Sequence, residues 1–332
     1  MKGIALRGLT LTELMIAITI GLILVAGIIQ IFISNKQSYL VQEASARNQE
    51  NGRFAIQFLT KDIRMAGFFG CGSIAASPTN MADINGDGIP DTASDFTGNG
   101  LQGYEYTNLP IAASDMNTLT AADVRPGTDI ISIKRGSNLG VRLKGNMNTV
   151  NANIQLDAAT AAGLFRPDDI IFISDCQMAD IFAANNVSSS GTTTTISHSN
   201  AVNIGNFLSK TYQKDAEVMK MVNTIYYIGT NSAGEPALFR LSMKNAGVMV
   251  PEELVDGVED MQITYGEDTD GDRTANVYVD APAVGDMTHV VSVRIELTVR
   301  SAEDNITETV AHGDRRLRNT FGTTITIRNR IT

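Results

Sequence analysis

Leu9-Thr10-Leu11-Thr12-Glu13-Leu14 opens the stretch that decides the fold, and residues 15–33 continue it without one formally charged side chain. Ahead of it stands a short basic leader, residues 1–8, carrying Lys2 and Arg7. An ordinary secretory signal has this order of basic and apolar segments. The apolar run is long for that role, however, and no small-x-small cleavage site separates it from Ser34. Residues 9–33 make about 37 Å of helix, enough to span a bilayer with some tilt. A membrane helix is therefore the better reading, and its lone acid, Glu13, is costly in lipid unless it finds a partner.

The helix does not end at the membrane boundary. No proline occurs before Pro78, and Phe54, Phe58, Leu59, Ile63 and Ala66 recur at helical spacing up to a plausible stop at Gly67. The spacing predicts one helix of roughly 58 residues, about 87 Å. Its first half, residues 9–33, is apolar nearly all round, whereas residues 34–67 carry a single stripe. The first half suits lipid or sister helices, and the second suits a globular domain laid against it.

Beyond Gly67 the pattern changes to short apolar segments between polar loops. Residues 129–135, 169–174, 224–228, 237–243, 261–265, 289–300 and 323–328 are the expected strands. Val291, Val293, Ile295, Leu297 and Val299 alternate with Ser292, Arg294, Glu296 and Thr298, the period of a half-buried antiparallel strand. One sheet on the back half of the helix would cover the stripe. Residues 125–133 and 166–173 both read as a turn followed by a strand, a short echo within a β-rich insertion spanning about residues 120–210. Residues 185–200, rich in Asn, Ser and Thr, read as an exposed loop.

Composition narrows the function. The 332 residues carry 26 Lys+Arg against 36 Asp+Glu, a net charge of -10 that argues against a general nucleic-acid surface. The two cysteines, Cys71 and Cys176, fit neither a zinc site nor a CxxC redox site. Outside the cytoplasm they would form a structural disulfide; otherwise they are two buried thiols.

At the N-terminus the sequence resembles a known family. Gly8 followed by Leu9-Thr10-Leu11-Thr12-Glu13 is similar to the signal of type IV pilins and type II secretion pseudopilins. The resemblance implies cleavage after Gly8 by a prepilin peptidase and N-methylation of Leu9, where the family usually has Phe. It also makes Glu13 the assembly acid. Gly52-Arg53-Phe54, residues 59–67, Gly70-Cys71, residues 255–272 and residues 324–330 further resemble the PilW family of minor pilins.

What the resemblance implies is an α+β, pilin-like fold: a long N-terminal α-helix packed on an antiparallel β-sheet head, residues 68–332, with a β-rich insertion. It implies a single pass through the bacterial inner membrane, a periplasmic head, and a place in the assembled pilus at its tip. The expected role is priming or capping the fibre, supporting adhesion and twitching motility. The expected partners are other minor pilins, the major pilin, the prepilin peptidase, a large pilus-tip adhesin and, before assembly, inner-membrane lipid; no nucleic acid is expected. The alternatives are a minor pseudopilin of a type II secretion system and a non-cleaved, membrane-anchored binding module.

Glu13 has a physical reading beside the family one. Cleavage after Gly8 would leave an amino group at Leu9, and a neighbouring subunit's Glu13 facing that ammonium would offset two desolvation costs and fix the axial stagger. The competing arrangement is a carboxylate snorkelling to the polar interface.

Two acidic loops are candidate calcium sites, although no cofactor is expected to be essential. Asp83, Asn85, Asp87, Ile89 through its carbonyl, and Asp91 follow calcium-loop spacing with Gly88 at position six, but Ser94 replaces the Glu at position twelve. Asp268, Asp270 and Asp272 start a second such loop, less complete because Arg273 takes the glycine position. For each the plainer reading is a polar turn.

Enzyme signatures are poor. Residues 98–103 match GxGxxG without the strand-to-helix setting a dinucleotide site needs and read as a flexible loop. His198, His289 and His312 form no motif. Arg315, Arg316 and Arg318, with Arg328 and Arg330, make a basic cluster suited to an acidic neighbour, a DNA backbone or plain solvent, and the net charge favours a protein.

Overall fold

The computed structural model describes residues 10–70, 78–91, 96, 100–108, 119–244, 248–307 and 313–331. The fold is α+β, with a long N-terminal helix and extensive antiparallel sheets. The chain divides into two compact units: the chain up to Gln49 with Ser301–Arg318, and the remainder.

Helix α1 is Leu11–Ile63. In the first unit its side chains through Tyr39 are almost all exposed, and its apolar segment is long and hydrophobic enough to cross a membrane. Nearer Gln49 the helix acquires partners. Gln37 Nε2 donates to the Ile306 carbonyl at 2.8 Å, and buried Asn48 donates through Nδ2 to the Leu317 carbonyl at 3.1 Å. Arg47 bridges Glu43 on its own helix and Glu303.

The second unit holds the core. Among the described residues its largest sheet runs β1 (Thr79–Asn80), β7 (Ala179–Ala183), β6 (Ile170–Ser174), β10 (Glu217–Thr230), β11 (Pro236–Met243), β12 (Met249–Asp256). Strands β3 (Ile130–Gly136) and β4 (Val141–Arg142) also pair with β10, and β2 (Leu101–Tyr104) pairs with β3. A second sheet runs β14 (Val277–Val279), β13 (Val258–Glu267), β15 (Val290–Arg300), β16 (Arg318–Thr326). A third, β5 (Ile154–Asp157), β9 (Thr193–Ser197), β8 (Asn186–Ser190), covers the insertion, whose separate core gathers Ile154, Leu156, Phe182, Ile196 and Val218. Strand β1 runs parallel to β7, whereas β10 is antiparallel to β3, β4, β6 and β11, and β13 is antiparallel to β14 and β15.

Two sheets, rather than the expected one, close over the stripe of α1. Ala55, Leu59 and Ile63 share one cluster with Leu101, Ile131 and Tyr226 from the first sheet and with Ile263, Ile295 and Ile325 from the second. Each such aliphatic side chain contributes about 1.5–3 kcal/mol by leaving water. Leu59, Ile63 and Ala66 of the expected stripe are buried, but its N-terminal end departs: Ala55 is buried, while Phe54 stays 40% exposed and Phe58 half-buried. The cause is close packing at Gly52, where a Cβ would lie 2.5 Å from the Phe321 ring. Small residues let the helix backbone approach β16, and bulkier Phe54 turns aside.

A buried polar tie fixes this docking. Asp62 accepts from Arg135 Nη2 at 3.0 Å and from the Tyr226 hydroxyl at 2.7 Å, joining α1 to β3 and β10. Past Ile63 the chain makes one more turn to Gly67, at φ 73°, whose N–H donates to the Lys134 carbonyl. Carbonyls left open at this helix end are taken by the C-terminal segment: Arg328 N–H donates to Arg64 and Asn329 Nδ2 to Ala66, both at 3.1 Å.

Further expectations change. Residues 185–200 are not an exposed loop, because β8 and β9 pair there as a hairpin in which Thr194 and Ile196 are buried. Residues 101–103 of the glycine motif belong to β2, with Gly103 packed against Tyr265; Gly98 and Asn99 lie outside the described residues. The echo is a repeated turn before a strand, with Gly127 at φ 81° and Asp168 at φ 64°, but its acids are held differently. Asp129 accepts from Ile263 N–H at 2.7 Å, Asp169 accepts from Arg166 N–H at 2.7 Å, and both acids are buried before their strands.

Candidate functional site

Helix α1 begins with a reciprocal cap. Thr10 N–H donates to Glu13 Oε2 at 3.0 Å, the Thr10 hydroxyl donates to the same oxygen at 2.8 Å, and Glu13 N–H donates back to Thr10 Oγ1 at 3.3 Å. This is a capping box, in which two helix-start amides with no intrahelical acceptor are satisfied by each other's side chains. The sequence reading missed Thr10, although Thr-x-x-Glu before an apolar run is the signature of that motif. Glu13 is therefore partnered within its own chain. Gly8 and Leu9 lie outside the described residues.

The first acidic loop, residues 83–91, winds around its leading acid. Asp83 Oδ1 accepts from Gly86 and Asp87 N–H at 2.9 and 3.1 Å, and Oδ2 accepts from Gly88 N–H at 3.0 Å. Asp91 Oδ2 accepts from Ile84 N–H at 2.7 Å, while Asn85 Nδ2 donates to Asp87 Oδ2 at 3.1 Å. Burial pushes the Asp91 carboxyl above the usual carboxylate range against the pull of the Ile84 amide, and the charges of Asp83 and Asp87 add to the rise. The Ile89 side chain is exposed. Ser94 lies outside the described residues.

The second loop, between β13 and β14, repeats that path. Asp268 Oδ1 accepts from Asp270 and Gly271 N–H at 3.2 and 2.7 Å, and Oδ2 from Arg273 N–H at 2.8 Å. Asn276, in the place of Asp91, accepts from Thr269 N–H at 2.7 Å. Arg273 sits at φ 68°, close to the 81° of Gly88, so the missing glycine does not prevent the turn. Burial opposes charge on Asp268, but the amides of Arg273, Gly271 and Asp270 outweigh it and hold the carboxyl below its usual range. Carboxylate oxygens of Asp268, Asp270 and Asp272 lie within 4.8 Å of one another, a spacing one hard cation can span.

Other sequence candidates resolve locally. Cys176 is exposed at φ 69°, and Cys71 lies outside the described residues. The basic cluster is largely turned inward. Arg318 grips Asp314 at 2.7 and 3.0 Å, Arg316 donates to the Ser301 carbonyl at 2.9 Å, and Arg330 donates to Met287 and Val290 carbonyls at 2.5 and 2.6 Å. Those three guanidiniums are spent on internal acceptors, while Arg315 and Arg328 stay exposed as the solvated reading from sequence has them. His198 is packed against Phe182 with Nε2 3.0 Å from the Ala152 carbonyl, and burial lowers its pKa. His312 lies outside the described residues.

The family described as Type IV Pilus-assembly protein W has a model that matches residues 225–329. That span carries the C-terminal part of β10 and all of β11 through β16, including the second sheet over the helix stripe and the tail that ties the helix end. No curated protein and no solved structure gives a match.

Proposed function

We propose that this PilW-family type IV pilus protein acts in pilus assembly as a minor pilin, priming or capping the fibre and so supporting adhesion and twitching motility. The observation that carries the reading is the exposed apolar stretch of α1 headed by Glu13, on a chain whose residues 225–329 match a pilus-assembly family. In this reading the helix anchors the protein in the inner membrane with its head in the periplasm. It then leaves lipid for the fibre, near the tip, among other minor pilins, the major pilin and a large tip adhesin. A prepilin peptidase removes residues 1–8, Leu9 becomes the methylated terminus, and Cys71 and Cys176 form a disulfide. Each acidic loop takes one calcium ion.

Mass analysis of the processed protein is the first test. It should find a chain starting at methylated Leu9, with Cys71 and Cys176 joined before reduction; a retained leader in fully processed cells rejects the pilin account. The capping box sharpens the second test. Glu13→Gln keeps an oxygen for Thr10 but removes the charge, so the variant should insert in the membrane and enter pili poorly. Thr10→Ala removes cap contacts, a loss of about 1 kcal/mol in helix stability, but keeps the charge and should assemble far better. The opposite ranking would make Glu13 a helix cap rather than the register contact. Calorimetric titration with calcium, with Asp87→Ala as the control for the first loop, tests the ion sites; no calcium-dependent heat removes them.

A further inference from the structure

We infer that a cleft between the C-terminal half of α1 and the β10–β11 face docks an acidic peptide segment of a partner protein, one that carries a carboxylate next to an apolar side chain. The cleft has a volume of about 560 Å³ and lies wholly within the second unit. Its existence does not depend on the chain entering a fibre.

The lining is amphiphilic in a specific way. Phe58, Met221 and Met243 give it an apolar surface, and Phe54 adds a ring that remains 40% exposed. Methionine and aromatic side chains adapt to an incoming apolar group with little loss of packing. Four cations, Lys61, Arg135, Lys220 and Arg240, share the same lining in a protein whose net charge is -10. The one carboxylate there, Asp62, is buried and already held by Arg135 and Tyr226.

Their pairing decides what kind of anion fits. Lys220 is backed by Asp169 at 2.8 Å and Arg240 by Glu252 at 2.6 Å, acids that lie outside the lining. Those two cations are held in place but largely neutralised. Lys61 has no ion pair among the described residues, and the Nε groups of Arg135 and Arg240 are buried without a hydrogen-bond partner. The exposed Lys61 charge and the held cations beside it suit one carboxylate. They do not suit a phosphate backbone, which needs a continuous basic track. Beside an apolar lining, a carboxylate flanked by a Phe or Leu side chain satisfies both surfaces at once.

The test uses the full chain in lipid nanodiscs and fluorescein-labelled Glu-Phe-Glu-Leu and Lys-Phe-Lys-Leu peptides, read by anisotropy. The acidic peptide should bind and its basic counterpart should not. Lys61→Glu should weaken the acidic peptide on the order of tenfold, and Phe54→Ser should weaken it several-fold. Both side chains are exposed, so thermal unfolding should be nearly unchanged in both variants. Absence of binding, equal binding of the two peptides, or undiminished binding by Lys61→Glu would overturn the inference. Complete displacement by sodium sulfate, at an ionic strength where sodium chloride displaces nothing, would also overturn it in favour of a simple inorganic-anion site.

Discussion

Residues 83–91 and 268–276 trace the same turn with their charges placed differently. In each, the leading Asp gathers three backbone amides, the second residue donates to the side chain at position nine, and positions four and six have positive φ. Each has three Asp and one Asn among positions one, three, five and nine. The first loop puts Asn85 third and Asp91 ninth, which spreads the carboxylates and leaves Asp91 among like charges. The second puts Asp270 third and Asn276 ninth, which brings three carboxylates within one ion's reach. Sequence spacing favours the first loop because it has glycine at position six. The geometry favours the second, because backbone shape is met in both and only carboxylate placement separates them.

The largest effect expected from breaking the parallel is at position one. Asp83→Ala strips the acceptor from three amides and should cost about 2 kcal/mol of unfolding free energy, measured by urea denaturation of the full chain in detergent. Asp268→Ala should also lower stability. If one variant is silent and the other is not, the two turns do not share a mechanism.

Position six comes next, with opposite signs in the two loops. Gly88 lies at φ 81° with open space where a Cβ would stand, so Gly88→Ala meets only backbone strain and should cost about 1 kcal/mol. Arg273 already bears that strain at φ 68°. Arg273→Gly should therefore stabilise the second loop, by about half as much once the freer unfolded glycine is counted. Two losses, or two gains, would mean the turns differ more than their hydrogen bonds suggest.

The same contrast between local chemistry and spacing explains what was legible in the sequence. Strand β15 announced itself because its inward Val, Ile and Leu alternate without a break. Strands β8 and β9 did not, because a ladder of backbone hydrogen bonds tolerates Ser and Thr and only a few of their side chains are buried. Strand β12 hid behind Pro251 and two glutamates, which an edge strand with few buried positions accommodates. The helix was legible in extent and so was most of its buried face, Leu59, Ile63 and Ala66; Phe54 was misplaced, since Gly52 and Ala55 carry too little hydrophobicity to outweigh it. Glu13 was found as an unpaired acid in an apolar run; its cap partner needed the three-residue spacing to Thr10, a signal present and unread.

The smallest effect is the most selective, because it separates the loops by pH. The folded-state pKa of Asp91 is raised, so its stabilising contribution is full below the ordinary carboxylate value and is lost as pH rises through the raised one. Asp268 is depressed, so its contribution is present above the ordinary value and is lost as pH falls through the lowered one. The loops should thus lose stability in opposite pH directions. Asp91→Asn gives the first loop the residue the second already has at position nine and keeps an oxygen for Ile84 N–H. Stability measured across the acidic range without calcium should then decline less on the rising side, the part owed to Asp129, which burial pushes up to about 8, remaining, while the fall at low pH persists. Should the substitution leave that decline unchanged, Asp91 contributes nothing to it, and the difference between the loops does not reside at position nine.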